Sequence, residues 1–186
     1  MVRFLVACTA VVALVVGVAM AQDKPSAPPR AAAKAPTALI TLEKGGDIVL
    51  EFWPQDAPRH VENFVKLARE KFYDGQRVHR VEPNFVVQFG DPQSKTLPLN
   101  DPRMGTGGPG YTIKAEFNKR PFERGVLGMA RKGDPDSAGS QVYIMLGPAS
   151  HLNGKYTAFG KVVTGMGVVD QIRVGDRIKS IRIITQ

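Results

Sequence analysis

Beyond residue 21 this 186-residue sequence has no cysteine, its single one being Cys8. The remainder therefore forms no disulfide, offers no thiol nucleophile and brings no thiolate to a metal. Histidine is nearly as scarce. His60, His79 and His151 stand far apart without the paired spacing of a zinc site, so neither a metal nor any other cofactor is implied. A Gly-x-Ser-x-Gly elbow is missing as well; Ser137 and Ser140 lie in Ser137-Ala138-Gly139-Ser140-Gln141 with no evident acid partner, which argues against a serine hydrolase. No internal repeat and no block of like charge occurs.

Long apolar runs are confined to the start. Arg3, an apolar stretch from Phe4 to Val18, and Ala19-Met20-Ala21 read as a secretory signal over 1–21 with a small-x-small cleavage site. The stretch is close to the lower limit of about 17 residues for spanning a bilayer, so a retained anchor is the alternative. Leu5-Val6-Ala7-Cys8 is a poor lipoprotein box, because it leaves no apolar region ahead of the cysteine. The expected address is the periplasm, with secretion or a membrane tether as alternatives.

What is present suits one globular domain: 43% hydrophobic and 23% charged residues, with 19 glycines and 14 prolines favouring a turn-rich β fold. Residues 22–37 combine proline, alanine and scattered charge without periodicity and read as a tether; the domain is expected over 38–186. The net charge is +8, and from Ala38 onward 21 basic against 16 acidic residues leave +5. These charges are scattered and not interleaved with aromatics, so a nucleic-acid partner is not expected.

Ala38 to Leu42, a Gly45-Gly46 turn, and the alternation of Ile48, Leu50 and Phe52 predict a hairpin. Asp56 as N-cap, Pro58 in the first turn, and Val61, Phe64, Val65 and Ala68 predict an amphipathic helix that Tyr73-Asp74-Gly75 stops. Short β runs follow at Val78 to Val81, Phe85 to Phe89, Gly125 to Ala130, Gln141 to Leu146 and Ala158 to Val163. A short helix over Met166 to Val174 and a last strand over Ile178 to Thr185 complete the chain. Many short strands with two helices predict a β-barrel or sandwich.

Gly105-Thr106-Gly107-Gly108-Pro109-Gly110 matches the dinucleotide fingerprint literally, but it follows Asp101-Pro102-Arg103 instead of a strand and contains Pro109 where a helix should open. A loop brought close to another surface is the better account. Arg80, His79, Phe85, Val86, Gln88, Gln141, Tyr143 and Tyr156 remain, a set suited to binding more than to bond-making.

These residues carry a resemblance. Phe72-Tyr73-Asp74-Gly75, His79-Arg80-Val81-x-Pro83-x-Phe85 and Gln88-x-Gly90-Asp91-Pro92 resemble the cyclophilin signature in order and spacing. The likeness continues through Gly105 to Tyr111, Glu116-Phe117, Gly125 to Ala130, Ser137 to Gln141, and Leu152-Asn153-Gly154-Lys155-Tyr156-x-x-Phe159-Gly160, covering nearly all of 38–186. It implies a mainly β fold, a closed eight-stranded antiparallel barrel capped by two helices, and a peptidyl-prolyl cis/trans isomerase of the bacterial exported type. The implied partner is a proline-containing segment of a folding protein, with a monomer as default and no membrane contact for the mature domain. By the same resemblance Arg80 is the catalytic donor; Phe85, Val86, Tyr143 and Leu152 hold the proline ring, and Gln88 and Gln141 bind substrate backbone. The main chain at Ala130 and Arg131 pairs with the peptide, Gly105 and Thr106 line an adjoining subsite, and His151 and Tyr156 complete the rim. His79 is a support.

The residues alone leave two points open. Phe85, Val86, Tyr143 and Leu152 also suit barrel core, and Arg80 also suits a surface strand residue paired with an acid. Val86 and Tyr143 depart from the methionine and phenylalanine usual in the family, and His151 replaces a large aromatic that helps hold the family's cyclic-peptide inhibitor, so weak inhibition is expected. Residues 92–104 form a longer segment than in compact members and should lie beside the groove. Two other functional readings are a noncatalytic proline-peptide module or chaperone, and a structural appendage of an envelope complex.

Overall fold

The structure, a computed structural model, describes residues 35–184. The expected signal over 1–21 and most of the expected tether lie outside the described residues. Thr37, assigned to the tether by composition, is the first residue of a strand.

Eight strands and two α-helices follow in the order β1 (Thr37–Leu42), β2 (Asp47–Phe52), α1 (Pro58–Arg69), β3 (Arg80–Glu82), β4 (Val86–Phe89), β5 (Val126–Met129), β6 (Val142–Met145), β7 (Ala158–Thr164), α2 (Met166–Asp170) and β8 (Ile178–Ile184). Every ladder is antiparallel, and the strands lie side by side as β3-β4-β6-β5-β7-β2-β1-β8. The mainly β, eight-stranded antiparallel expectation holds. Its closure does not hold in full: β3 and β8 are the two edges of an open, curled sheet and do not pair with each other. The seam is laced by the chain beside them, through the Arg77–Arg177 bridge and main-chain bonds from Gly75 and Val78 to Ile178 and Asp176 at 2.8 and 2.9 Å. Arg77 is therefore as close as the two edges come to a shared ladder. Its side chain turns the other way, donating to the carbonyls of Ser94 and Leu97.

Alternation decides the core. Ala38, Ile40 and Leu42 of β1 and Ile48, Leu50 and Phe52 of β2 all point inward and are at most 1% exposed, as the period of two requires. Phe64 of α1 plugs one end, its ring centroid 5.2 Å from Phe52, 5.1 Å from Tyr73 and 5.9 Å from Phe159. Each such ring contributes about 1.5–3 kcal/mol by leaving water.

Both helix ends differ from the sequence expectation for physical reasons. Asp56 does not cap α1; its carboxylate takes the Arg120 guanidinium at 2.8 and 2.9 Å. The free amides of the first turn are met instead from across the fold, where the Glu116 carboxylate accepts Arg59 N–H at 3.1 Å and His60 N–H at 3.0 Å. An external carboxylate does for them what a local cap does elsewhere. α1 then stops at Arg69, before the Tyr73-Asp74-Gly75 turn, because Lys71 adopts a left-handed φ of 56°. α2 is shorter than expected: it ends at Asp170, the next amides close tighter turns from Gln171 to Val168 and from Ile172 to Val169, and the Arg173 amide then goes to the Asp176 carboxylate at 2.7 Å.

Candidate active site

β3, β4, β6 and β5 are neighbours, and their register places Arg80 opposite Gln88, Gln88 opposite Tyr143, and Tyr143 opposite Gly128. Two cavities open along this face. The larger, about 540 Å³, is lined by Arg80, Phe85, Val86, Gln88, Ala130, Arg131, Tyr143, His151, Leu152, Lys155 and Tyr156. A smaller one of about 300 Å³ adjoins it, lined by Gly105 to Thr112, Lys132, Ser137 and Gly139 to Gln141, and sharing Gln88, Ala130 and Arg131 as the dividing wall. All thirteen residues given a catalytic or substrate-binding role from the sequence line one cavity or the other, and His79, expected as a support, lines neither.

The pocket residues are not part of the barrel core. Val86, Tyr143 and Leu152 pack in a separate apolar cluster with Trp53, Phe122, Met145 and Ala158, against which Phe85, Ala130 and Tyr156 lean. Phe122 has no distinguishing sequence context, yet its ring stands 6.0 Å from that of Tyr143. Tyr143 is 5% exposed, and its hydroxyl is buried with no partner among the described residues. Burial raises the phenol well above its ordinary pKa. Its ring packs against Gly128, where an added Cβ would meet the ring carbons at 2.4 Å. His151 stacks on Phe85 at 5.8 Å between ring centroids.

At the cavity mouth a chain of polar side chains fixes one cation. Arg80 Nη1 donates to Gln88 Oε1 at 3.2 Å, Gln88 Nε2 donates to Gln141 Oε1 at 3.0 Å, and Gln141 Nε2 donates to the carbonyls of Gly105 and Gly107 at 2.9 and 2.8 Å. Each amide is thereby oriented, so that Gln88 can present only its oxygen to Arg80. Arg80 also pairs with Glu82 at 3.5 Å and sits 5.6 Å from the centre of the Phe85 ring. Both readings left open for Arg80 thus apply: it is a half-exposed strand residue with an acidic neighbour, and it faces an apolar pocket. Nη2 has no protein acceptor among the described residues.

The glycine-rich loop is held by a residue that sequence reasoning passed over. Asp91, 0% exposed, accepts the amides of Gln93 at 2.8 Å, Gly105 at 2.6 Å and Gly107 at 3.3 Å. A Cβ at Gly107 would fall 2.2 Å from its Oδ1. Two of the amides that a dinucleotide phosphate would need, those of Gly105 and Gly107, are already bound to this carboxylate, which argues against the literal fingerprint as a phosphate cradle. The segment 92–104 lines neither cavity. It meets the groove through Thr106, whose hydroxyl donates to the Arg103 carbonyl at 2.7 Å and accepts from Gln93 Nε2 at 3.3 Å, while Leu99 lies against Gly175.

Among the described residues no acid–base or nucleophilic arrangement accompanies the groove. Ser140 Oγ donates to Gly90 O at 2.6 Å and Ser137 Oγ to Asp134 O at 2.5 Å, so both hydroxyls are spent on carbonyls. His79, beside Gly105, has both ring nitrogens buried without hydrogen-bond partners among the described residues; burial lowers its pKa, opposed chiefly by Asp91. His60 is fully buried, with Nδ1 2.7 Å from Glu116, and its pKa is also lowered by burial. Among the described residues no three His, Cys, Asp or Glu side chains gather as a metal group.

Comparison with known proteins agrees with this geometry. The model of the cyclophilin type peptidyl-prolyl cis-trans isomerase family matches residues 37–185. A probable peptidyl-prolyl cis-trans isomerase of Brucella abortus is 45% identical over 147 residues, which are 77% of this chain and 74% of that protein. Peptidyl-prolyl cis-trans isomerase B of Bacillus subtilis is 45% identical over 149 residues, 79% of this chain and 97% of that one. The crystal structure of a Cryptosporidium parvum cyclophilin type isomerase in the presence of the dipeptide Ala-Pro superposes with a TM-score of 0.71 at 25% identity, covering 81% of this chain and 99% of that chain.

Proposed function

This chain belongs to the cyclophilin-type peptidyl-prolyl cis-trans isomerases, and from that premise we propose that it accelerates rotation about Xaa-Pro bonds of exported or envelope proteins, with Arg80 stabilising the twisted amide. The observation that carries the reading is the Arg80–Gln88–Gln141 chain at the mouth of the apolar cavity.

Rotation about a peptide bond costs ~18–20 kcal/mol because amide resonance is lost midway. No covalent bond changes, so a nucleophile or general base has no task. What helps is an environment that binds the twisted amide better than either planar form. In the twisted state the proline nitrogen regains its lone pair. A charged donor fixed before substrate arrives meets that lone pair, or the neighbouring carbonyl, without reorganising. Arg80 is permanently protonated, and Gln88 holds its Nη1 and leaves Nη2 available.

The proline ring occupies the larger cavity against Phe85, Val86, Tyr143 and Leu152, where apolar contact alone is sufficient. Gln88 and Gln141 and the main chain at Ala130 and Arg131 bind the extended backbone. Gly105 and Thr106 line the subsite for a neighbouring side chain. Even an acceleration of ~10⁶ requires about 8 kcal/mol of differential stabilisation, so Arg80 acts together with this shaped pocket. The sequence features supporting an exported setting are Arg3, the apolar stretch after it and Ala19-Met20-Ala21.

Arg80→Ala separates this account from a groove that only binds. Titration of a labelled proline peptide should show affinity within a fewfold of wild type, while acceleration of cis-to-trans relaxation falls at least about a hundredfold, the scale of removing one such donor. Equal loss of both would make Arg80 a binding residue, and loss of neither would remove it from the mechanism.

A further inference from the structure

Four cations line the two cavities, and no carboxylate does: Arg80 and Lys155 face the larger, Lys132 the smaller and Arg131 both. Arg80 has Glu82 beside it. Arg131 spends its donors on the main-chain oxygens of Lys132, Gly133 and Lys155, at 2.8 to 3.3 Å, while its guanidinium lies 4.5 Å over the Tyr156 ring. Carbonyls fix its position but leave its charge uncompensated. Among the described residues neither Lys132 nor Lys155 belongs to an ion pair. The acids that follow Lys132 are turned elsewhere, Asp134 to the Asp136 amide and Asp136 to the Ala115 amide.

We propose that the groove selects proline segments that carry acidic side chains two residues before the proline or just after it. The inference rests on the isomerase reading of the groove and names the substrate class within it. Arg131 is the wall between the two cavities, so a side chain on either side of a bound proline comes within reach of a cation: Lys132 with Arg131 on one side, Lys155 with Arg131 on the other. A basic side chain at either place meets only like charge. These cations surround open cavities, so water screens the attraction; each acid contributes the modest preference of an exposed ion pair, about two- to fivefold. The preference is a choice among clients and leaves the rotation step itself unchanged.

The test uses the full chain and blocked proline peptides carrying Glu, Gln or Lys two residues before the proline, with a second set varied just after it. At about 20 mM salt, kcat/KM from exchange NMR should fall in the order Glu, Gln, Lys, by about two- to fivefold per step. The three values should converge in 1 M salt, where the Debye length is about 3 Å. The double substitution Lys132→Gln and Lys155→Gln should shrink the Glu-to-Lys ratio. Equal kcat/KM for Glu and Lys peptides at low salt overturns the inference while leaving the isomerase reading intact. If no peptide is turned over, the isomerase reading fails instead, and a binding titration of the same peptides decides the charge preference by itself.

Discussion

Gly128 should be intolerant of even one added carbon. Its partner across the β5–β6 ladder is Tyr143, and the Cβ of an alanine there would lie 2.4 Å from Cε2 and Cζ of the ring and 2.5 Å from its oxygen. Ordinary contact begins near 3.4 Å, so the ring must retreat by about 1 Å. Phe122 and Tyr156 are its aromatic neighbours, with centroids 6.0 and 6.3 Å away, which leaves the larger cavity as the open direction. Overpacking of this kind costs about 1–3 kcal/mol, and a displacement near 1 Å at a reacting site costs on the order of 10²-fold in rate. Gly128→Ala should therefore lower kcat/KM for an Xaa-Pro peptide by roughly ten- to a hundredfold, with a urea midpoint shifted to match the overpacking cost. Adding Tyr143→Leu should restore stability, since the clashing ring is gone. Wild-type kcat/KM together with an unshifted midpoint in Gly128→Ala would refute the argument that the ring rests on the bare glycine.

Three further outcomes follow from other parts of the molecule. Asp91→Ala leaves three loop amides without their acceptor and should cost about 3 kcal/mol or more in urea unfolding, with weaker peptide binding as the glycine-rich loop loosens. His60 and His79 have folded-state pKa values lowered by burial, so the unfolded chain takes up protons first. Their contribution is complete above the unfolded value of about 6.5 and is lost as pH falls below it. The urea midpoint should drop between pH 7.5 and 5.5, and less steeply in His60→Gln; an identical slope in that variant would exclude His60. His151, stacked on Phe85, should give weak binding of the family's cyclic-peptide inhibitor, and His151→Trp should tighten it about three- to tenfold, the range of one aromatic contact, in a fluorescence titration.

Local order was legible and long-range closure was not. The alternation of Ile48, Leu50 and Phe52 and the helical spacing of Val61, Phe64 and Ala68 are properties of short windows, and both elements form where they predict. The cap of α1 was misread because Asp56 looks like an N-cap locally. The group that does the work, Glu116, lies far along the chain and is brought to Arg59 and His60 only by the fold. Asp91 escaped notice for the same reason, since nothing in Gly90-Asp91-Pro92 reveals that its partners are Gly105 and Gly107. The seam also depends on tertiary geometry: eight strands permit a closed ladder, but β3 ends after Glu82, and the chain around Arg77 bridges to β8 instead. The candidate site residues, scattered along the sequence, line two adjoining cavities, and they could be named together because motif resemblance carries three-dimensional information that periodicity lacks. That resemblance named the pocket's wall, while Phe122 and Gly128 behind it emerged only from packing.

The central claim is that a fixed guanidinium, and not merely a positive charge in a proline-binding groove, lowers the barrier to rotation. Arg80→Lys tests it most directly, because lysine keeps the charge and loses the planar fork that donates to Gln88 while leaving Nη2 for the substrate. The measurement is the cis-to-trans relaxation rate of a short Xaa-Pro peptide after a solvent jump, with catalytic amounts of wild type and of the variant. Acceleration by the wild type and a loss of at least about tenfold in Arg80→Lys is the predicted result. A wild-type protein that leaves the relaxation unchanged, or a lysine variant as fast as the wild type, would contradict it.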